Sequence, residues 1–427
     1  MRPLWAATAT PAPEFPELTS ELRTQVAVIG GGYTGLSAAL HLAERGRDTV
    51  LLEAVNVGER ASGLNGGQVI AGVKCDPDEL QAQFGPRLGP AVIETVGNGP
   101  DLVFDLIRRC GIDCDAVRAG WIQPATSERE LVPIRARVEQ WRRWGANVDL
   151  LDRARTAALT GSTHYCGGWI DYRGGTVQPL SFVRGLARAA DRAGARIHVR
   201  SPAIRLSQSG SDWRIDSPRG SLLASTVILA TDAYTDHLID QLRRSLVTVP
   251  SFQVATAPLA EALRRDILPQ GQSVSDTRRL LRYFRLDAGG RLLMGSRGAF
   301  DQTATPQSAR HLYQAVREIY PQLEGIPFEY HWGGLVGITA DRLPHLHVIQ
   351  PGLLAGVGYN GRGIAMATSL GRLLARLAEG VAPDEIGFPV TRVQPITLHR
   401  FARLGARATM QYLKVRDRWD RARQGLR

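Results

Sequence analysis

A strand, a glycine-rich turn and a helix follow one another near the start of the chain. Residues 24–29 (TQVAVI) are apolar and largely β-branched, residues 30–35 (GGGYTG) follow, and apolar residues then recur at helical spacing through Ala43. A second apolar run, residues 48–53 (DTVLLE), ends in an acid 23 residues after Gly30. This order of elements is typical of a βαβ unit that binds a dinucleotide.

The residues of the turn each have a physical role in holding a pyrophosphate. Gly30 allows the tight turn, Gly32 lets the phosphates approach the backbone, and Gly35 lets the helix pack closely on the strand. Tyr33 and Thr34 begin the helix, whose free N–H groups and positive dipole end attract phosphate. A glycine-rich turn that binds nothing is the alternative interpretation.

Glu53 ends the second strand and is expected, with Ala54 beside it, to face the ribose. A carboxylate can accept hydrogen bonds from both ribose hydroxyls, so this acid favours FAD or NAD over NADP. Other segments must distinguish FAD from NAD.

Two small-residue loops favour FAD. Residues 61–68 (ASGLNGGQ) are polar and suited to lie flat against a ring system, although an ordinary surface loop is the alternative. Residues 358–364 (GYNGRGI) form a second glycine-rich loop before an apolar helix, which a large isoalloxazine ring requires and an NAD dehydrogenase does not. The cofactor contacts expected in these loops and at the end of strand 226–229 are Ala61, Ser62, Asn65, Gly66, Gly67, Gln68, Ala230, Thr231, Gly358, Tyr359, Asn360, Gly361, Arg362, Gly363 and Ile364.

Composition narrows the class of protein. The net charge is +11, and eight of these charges lie in residues 392–427, so the body is only slightly basic. The four cysteines are too few for a disulfide framework, and no cluster completes a metal site around Cys110 and Cys114. No apolar run approaches the roughly 20 residues that span a bilayer. We therefore expect a cytoplasmic protein with no metal and no membrane span.

Motifs across nearly the whole chain give a family resemblance. The sequence resembles the D-amino-acid-oxidase-like superfamily of FAD-dependent oxidoreductases, and within it the gamma-glutamylputrescine oxidoreductase group. The segments that carry the resemblance are Trp5, residues 30–35 with Glu53, and residues 61–68, 229–231, 283–285, 290–295, 331–334, 338–344 and 358–363.

The resemblance implies an α/β (α+β) architecture with interleaved domains. A Rossmann-type FAD-binding domain would comprise residues 1–101, 176–246 and 333–389, and a substrate domain built on an antiparallel sheet would comprise residues 102–175 and 247–332. A basic helical tail would follow over residues 390–427. The sequence patterns themselves predict a helix over 179–193, a strand over 196–199 and a hairpin of residues 279–286 with 291–295.

The resemblance also implies the chemistry, which is oxidation of an amine C–N bond. A hydride leaves the carbon beside a neutral amine for flavin N5, and the imine hydrolyses to an aldehyde and an amine. Related glycine oxidases resemble one another in an arginine that clamps the substrate carboxylate, two residues after the position of Gly334, where this chain has Val336. A simple α-amino acid is therefore disfavoured, and a gamma-glutamylputrescine-like or other primary or secondary amine is favoured. Because no cysteine follows Cys166, we expect FAD to be bound non-covalently.

Substrate-facing candidates come from the same resemblance. It places near the ring Tyr283, Arg285, His331, Trp332 and Tyr359, for which a buried aromatic or a surface arginine is the alternative. Some related oxidases resemble one another in a lysine that speeds reaction with oxygen, and Lys74 is the candidate here, unless it is a solvated loop residue. The choice between oxidase and dehydrogenase stays open.

The expected partners follow from these alternatives. A small-molecule amine is the substrate, and O2 or a quinone or other acceptor takes the electrons. Residues 403–423 could form a basic helix that docks on the body, lies on a membrane surface or binds another partner. The second hypothesis is therefore an amino-acid dehydrogenase, peripheral to the membrane, that passes electrons to quinone. A third, a flavoprotein linked to nucleic acid, is not required by any feature, and we expect no nucleic-acid partner.

Overall fold

The computed structural model describes residues 3–298, 305–401, 404, 405, 407–409, 412 and 416. Its strands are β1 (Glu21–Ile29), β2 (Thr49–Leu52), β3 (Gln68–Val69), β4 (Trp121–Ala125), β5 (Val148–Leu151), β6 (Gly167–Asp171), β7 (Gly175–Thr176), β8 (Arg196–His198), β9 (Arg205–Ser209), β10 (Asp212–Ser217), β11 (Gly220–Leu229), β12 (Val247–Pro258), β13 (Ser273–Ser275), β14 (Tyr283–Leu286), β15 (Arg291–Arg297), β16 (Phe328–Ile338), β17 (His345–Gln350), β18 (Leu353–Val357) and β19 (Val390–Thr391).

Helices pack against both of the large β-sheets. They are α1 (Leu4–Thr8), α2 (Tyr33–Ala43), α3 (Ala61–Leu64), α4 (Pro77–Gly97), α5 (Gly99–Cys110), α6 (Glu128–Arg143), α7 (Arg153–Thr160), α8 (Pro179–Arg192), α9 (Asp240–Arg243), α10 (Glu261–Asp266), α11 (Arg310–Ile319) and α12 (Gly363–Ala378). Short 3-10 helices are Asp232–Tyr234, His237–Ile239, Pro321–Leu323, Pro383–Glu385 and His399–Phe401.

The first sheet has a parallel centre. Its strand order is β19-β17-β18-β11-β1-β2-β8, with β10 on β11 and β9 on β10. Strands β8, β2, β1, β11 and β18 run parallel, and Val28 of β1 lies between Leu51 of β2 and Ile228 of β11. Strands β2 and β18 are buried along their whole length because helices such as α2 and α12 pack over the sheet.

The second sheet is antiparallel except at one pair of strands. Its order is β16-β12-β15-β14-β13-β4-β6-β5, and only β13 and β4 run parallel. Helix α11 packs on β12 and β15, and the core beneath it includes Phe252, Phe284 and Tyr320. The predicted hairpin is confirmed, since β14 and β15 pair with Phe284 opposite Met294.

The predicted fold class is confirmed in both sheets, and so are helix α8 and strand β8. The predicted domain limits stay predictions, and three elements cross them: α5 spans the 101/102 limit, β7 the 175/176 limit and β16 the 332/333 limit. The predicted tail helix over 403–423 falls largely outside the described residues. Within the described part of the chain, no helix is long and apolar enough to cross a membrane.

Candidate active site

A cavity of about 470 Å³ lies where the parallel strands end and the second sheet begins. The carboxyl ends of β1, β2 and β11 form one wall, and β12, β14 and β16 form the other. Open α/β sheets bind ligands at this end of their strands. The size is within the usual range for a ligand pocket, about 300–1,000 Å³.

The glycine-rich turn after β1 lies at one end of the cavity. Gly30, Gly32, Tyr33 and Thr34 line the cavity, as the sequence predicts. A Cβ on Gly30 would lie 2.7 Å from the carbonyl oxygen of Ala230, so only glycine fits there. Gly35 does not line the cavity but packs helix α2 on β1, since its Cβ would meet the Gly30 oxygen.

Glu53 is buried beside this turn. Its Oε2 accepts a hydrogen bond from the amide of Gly31 (2.7 Å), and its Oε1 accepts one from the amide of Val55 (2.9 Å). Burial raises the pKa of Glu53, which these two amides oppose. Ala54 also lines the cavity. Each carboxylate oxygen keeps a lone pair for a further donor such as a ribose hydroxyl.

The loop of residues 61–68 is held in shape by its own asparagine. The Asn65 side chain donates to the carbonyls of Ala61 and Ser62 and accepts from the amide of Gly67. The Ser62 hydroxyl accepts from the amide of Tyr33, the first residue of α2, at 3.1 Å. All the predicted residues of this loop line the cavity except Gly67, whose carbonyl accepts from Val177.

Three of the predicted substrate contacts do not line the cavity. Arg285 is buried and donates to the carbonyls of Gly66 (3.0 Å) and Val177 (2.8 Å). The Trp332 indole donates to the Leu64 carbonyl (3.0 Å), and His331 is buried in β16 opposite Val254 of β12. Arg285 and Trp332 hold the loop of residues 61–68 through these hydrogen bonds. This placement favours a positioning role, and direct substrate contact stays a prediction.

The second glycine-rich loop leads into helix α12. Its predicted residues line the cavity except Gly358, whose amide donates to Asp232 (2.7 Å). Tyr359 lines the cavity, but its hydroxyl is engaged by Thr34 and by the carbonyl of Gly356. Ala230 and Thr231 also lie on the wall.

Alternate residues of β12 line the other wall. Val249, Ser251 and Gln253 face the cavity, and the Ser251 hydroxyl lies 2.8 Å from the hydroxyl of Tyr283. Burial raises the pKa of Tyr283 to about 12, so the phenol is protonated at neutral pH. Val336 of β16 lies on the same wall, where it presents only apolar surface.

A cluster of positive charge lies at the substrate-sheet side of the cavity. Lys74, Arg297 and Arg362 all line it. The Arg362 guanidinium donates to the Ala71 carbonyl and lies 4.9 Å from the centre of the Trp121 ring. Enclosure by protein, with the positive charges of Arg362 and Arg297, lowers the pKa of Lys74 to about 7. Lys74 therefore lines the cavity, although the residue is exposed.

The cavity fits an elongated dinucleotide with a polar ring. A Cβ on Gly361 or Gly363 would meet no atom within 4 Å, so the loop leaves room for a ligand there. On the other wall the Gln253 amide donates to the Leu64 carbonyl, while its buried Oε1 lacks a partner among the described residues. An unpartnered acceptor of this kind suits a ring N–H. Residues at the turn, at Glu53 and in both loops would hold FAD.

A cavity at the carboxyl ends of a parallel sheet, with a glycine-rich turn and a buried acid at one end, is the arrangement of a dinucleotide-binding protein. The family model described as FAD dependent oxidoreductase, DAO, matches residues 25–377. The chain therefore belongs to the DAO family of FAD-dependent oxidoreductases.

Curated relatives and solved structures agree with this assignment. The chain is 32% identical over 417 residues to a probable oxidoreductase OrdL of Haemophilus influenzae, covering 95% of each chain. It is 32% identical over 380 residues to gamma-glutamylputrescine oxidoreductase of Escherichia coli, covering 88% of this chain and 89% of the relative. The crystal structure of glycine oxidase from Geobacillus kaustophilus aligns with a TM-score of 0.70 at 25% identity, covering 84% of this chain and 95% of the other. The resemblance to this superfamily and the FAD requirement are thereby confirmed.

Several residues of the cavity wall are not predicted by the sequence. Ser251, Gln253 and Arg297 belong to strands whose pairing only the fold establishes. The alternation of side chains along β12 is a signal that could have indicated Ser251 and Gln253, whereas Arg297 belongs to β15. Arg60, which stacks on the Tyr234 ring at 5.4 Å, likewise lines the cavity. Among the described residues no cluster of ligating side chains could hold a metal ion.

Proposed function

We propose that the protein oxidises the C–N bond of an amine whose carboxylate lies far from the oxidised carbon, with a γ-glutamylated diamine as the model substrate. The imine formed from the primary amine of such a substrate hydrolyses to an aldehyde and ammonia. Val336 carries this proposal, because an apolar side chain on the cavity wall cannot bind an α-carboxylate. The relative named gamma-glutamylputrescine oxidoreductase supports the choice of amine.

The residues of the chain act by binding and orientation. FAD, when bound, supplies the hydride acceptor. The Ser251 and Tyr283 hydroxyls offer neutral hydrogen-bonding groups beside the donor carbon, since Tyr283 keeps its proton at neutral pH. Apolar side chains such as Val249, Leu64 and Val336 exclude water from the reacting face. Orientation of this kind accelerates hydride transfer without a strong base.

The test is anaerobic bleaching of the flavin absorbance by a panel of amines. Purified holoenzyme is mixed with gamma-glutamylputrescine, putrescine, an N-methylated amine, glycine and alanine. We expect rapid bleaching by gamma-glutamylputrescine and none by glycine or alanine. Bleaching by the α-amino acids alone would refute the role of Val336 and with it the proposal.

The electron acceptor is tested in the same cuvette. Admission of air to the bleached enzyme restores the yellow colour within seconds if O2 is the acceptor. Restoration only after a soluble quinone is added would instead indicate the dehydrogenase of the second hypothesis. Val336→Arg serves as a companion variant, because a guanidinium at this point should bring glycine or alanine into the set of substrates.

A further inference from the structure

Two cations line the cavity without an anion to neutralise them. Among the described residues, neither Lys74 nor Arg297 forms a hydrogen bond or an ion pair. Arg297 is half-buried at the end of β15, and burial lowers its pKa. A half-buried guanidinium with no partner is costly, and a bound anion would offset that cost.

The carboxylates of the cavity wall are already engaged elsewhere. Glu53 accepts from two amides at the dinucleotide end. Asp232 accepts from the amide of Gly358, and Asp236 accepts from the amide of Leu238 at 3.2 Å. Asp276 accepts from the amide of Arg282 at 2.9 Å and forms an ion pair with Arg278 at 3.4 Å. Among the described residues, no carboxylate of the cavity wall pairs with Lys74 or Arg297, and an anionic ligand would supply the missing charge.

Register places Arg297 well away from Val336. Val336 pairs with Val249 of β12, whereas Arg297 pairs with Ser251 on the opposite side of that strand. The backbones of Arg297 and Val336 lie two strands apart across the sheet and two residues apart along it. This corresponds to a separation of roughly 12 Å. A carboxylate that reaches Arg297 is therefore many bonds from one that would lie at Val336.

We propose that Lys74 and Arg297 form a subsite that binds a remote carboxylate of the substrate. Arg362 is excluded from this subsite because the Ala71 carbonyl and the Trp121 ring engage it. The identity of the amine rests on the proposed function. Binding of a carboxylate can be measured without turnover, so the two proposals fail independently.

The first experiment titrates the oxidised holoenzyme with glutarate and follows the flavin difference spectrum. In Lys74→Met and in Arg297→Met we expect the Kd for glutarate to rise about 10- to 100-fold, as for loss of one charged hydrogen bond. Lys74→Arg and Arg297→Lys should recover most of the affinity. Arg265→Gln, on the exposed helix α10, is the matched control and should bind glutarate like the wild type.

The second experiment measures discrimination between two substrates that differ only in the carboxylate. These are gamma-glutamylputrescine and 4-aminobutanoylputrescine, which lacks the α-carboxylate. We expect the ratio of their kcat/KM values to fall about 10- to 100-fold in each methionine variant, with the change in KM rather than in kcat.

Several outcomes would overturn the subsite. One is glutarate binding of wild-type affinity in both methionine variants. Another is unchanged discrimination between the two substrates in variants that lose FAD, which would show that the two cations bind the cofactor. A third is unchanged discrimination in variants whose reduced flavin is re-oxidised more slowly, which would show that the cations act in the reaction with oxygen. If glutarate binding requires both cations but no γ-glutamyl amine is oxidised, the subsite stands and the proposed function fails.

Discussion

Gly363 shows how a single residue keeps the cavity open. It is the first residue of α12, and a Cβ there would meet no atom within 4 Å. We predict that Gly363→Leu folds but binds FAD at least 10-fold more weakly, because the new side chain occupies space that the cofactor needs. The measurement is the Kd for FAD, obtained by titrating the FAD-free protein with FAD and following fluorescence quenching.

Gly363→Ala is the graded control for this prediction. Its single methyl group should leave FAD affinity within about threefold and stabilise the start of the helix slightly. Equal FAD affinity in the leucine variant and the wild type would contradict the assignment of this loop to the cofactor.

Local motifs are predictable at the residue scale, whereas side-chain direction across distant strands is not. The turn of residues 30–35 is specified by neighbours in the chain, and the structure places most of it on the cavity as predicted. Arg285 and Trp332 lie on the same face of the second sheet as Tyr283, but they contact the loop of residues 61–68 and do not line the cavity. His331 lies on the opposite face of the sheet. The face that His331 takes depends on the register of β16 with β12, whose paired residues lie more than 70 positions apart in the chain, and a shift of one residue reverses it.

At the scale of elements, Glu318 ties helix α11 to the segment between β13 and β14. Its carboxylate accepts from Arg278 (2.9 Å) and Arg282 (2.6 Å). Despite some burial, these two guanidinium groups lower the pKa of Glu318 to about 2. A carboxyl group whose pKa is lower in the folded than in the unfolded state stabilises the fold at pH values above its pKa in the unfolded state.

We predict that Glu318→Gln is less stable than the wild type by about 2 kcal/mol at pH 7, because the variant loses two charge-assisted hydrogen bonds. The difference should shrink as the pH falls from about 4.5 towards 2, since the unfolded wild type then binds a proton that the folded state resists. Urea denaturation of the holoenzyme at several pH values measures this difference in stability.

Glu261→Gln, which breaks an exposed pair with Arg265, is the control and should change stability by less than about 0.5 kcal/mol. A pH-independent difference would contradict the ion-pair explanation.

The elements themselves follow from local pattern more readily than their arrangement does. The β14–β15 hairpin joins strands through residues 287–290, so chain proximity specifies the pairing. The parallel contact of β13 with β4 joins segments about 150 residues apart, and no local signal specifies it. The domain limits cannot be predicted from local pattern either, because β16 pairs within the second sheet and also lines the FAD cavity near its end.

At the scale of the whole molecule, the N-terminal helix joins both sheets to the cofactor loop. Trp5 is fully buried, and its indole donates to the carbonyl of Asn65 (2.7 Å). Its ring meets Trp332 of the second sheet edge to face at 5.8 Å, and the Arg285 guanidinium lies 5.0 Å from its centre. Gln178, at the start of α8, donates to the Trp5 carbonyl. One side chain thus contacts parts of the chain that are far apart in sequence.

We therefore predict that Trp5→Ala destabilises the protein by about 3–5 kcal/mol, the usual cost of emptying a tryptophan site in a core. FAD should also be lost more readily, because Asn65 belongs to the loop that borders the cofactor cavity. Urea unfolding gives the first effect, and the rise of free-flavin fluorescence on warming gives the second. Trp144→Ala is the matched control, since Trp144 is 39% exposed and lies at the end of α6, and it should cost less than about 1 kcal/mol. If the two variants release flavin at the same temperature, the N-terminal helix does not support the cofactor loop.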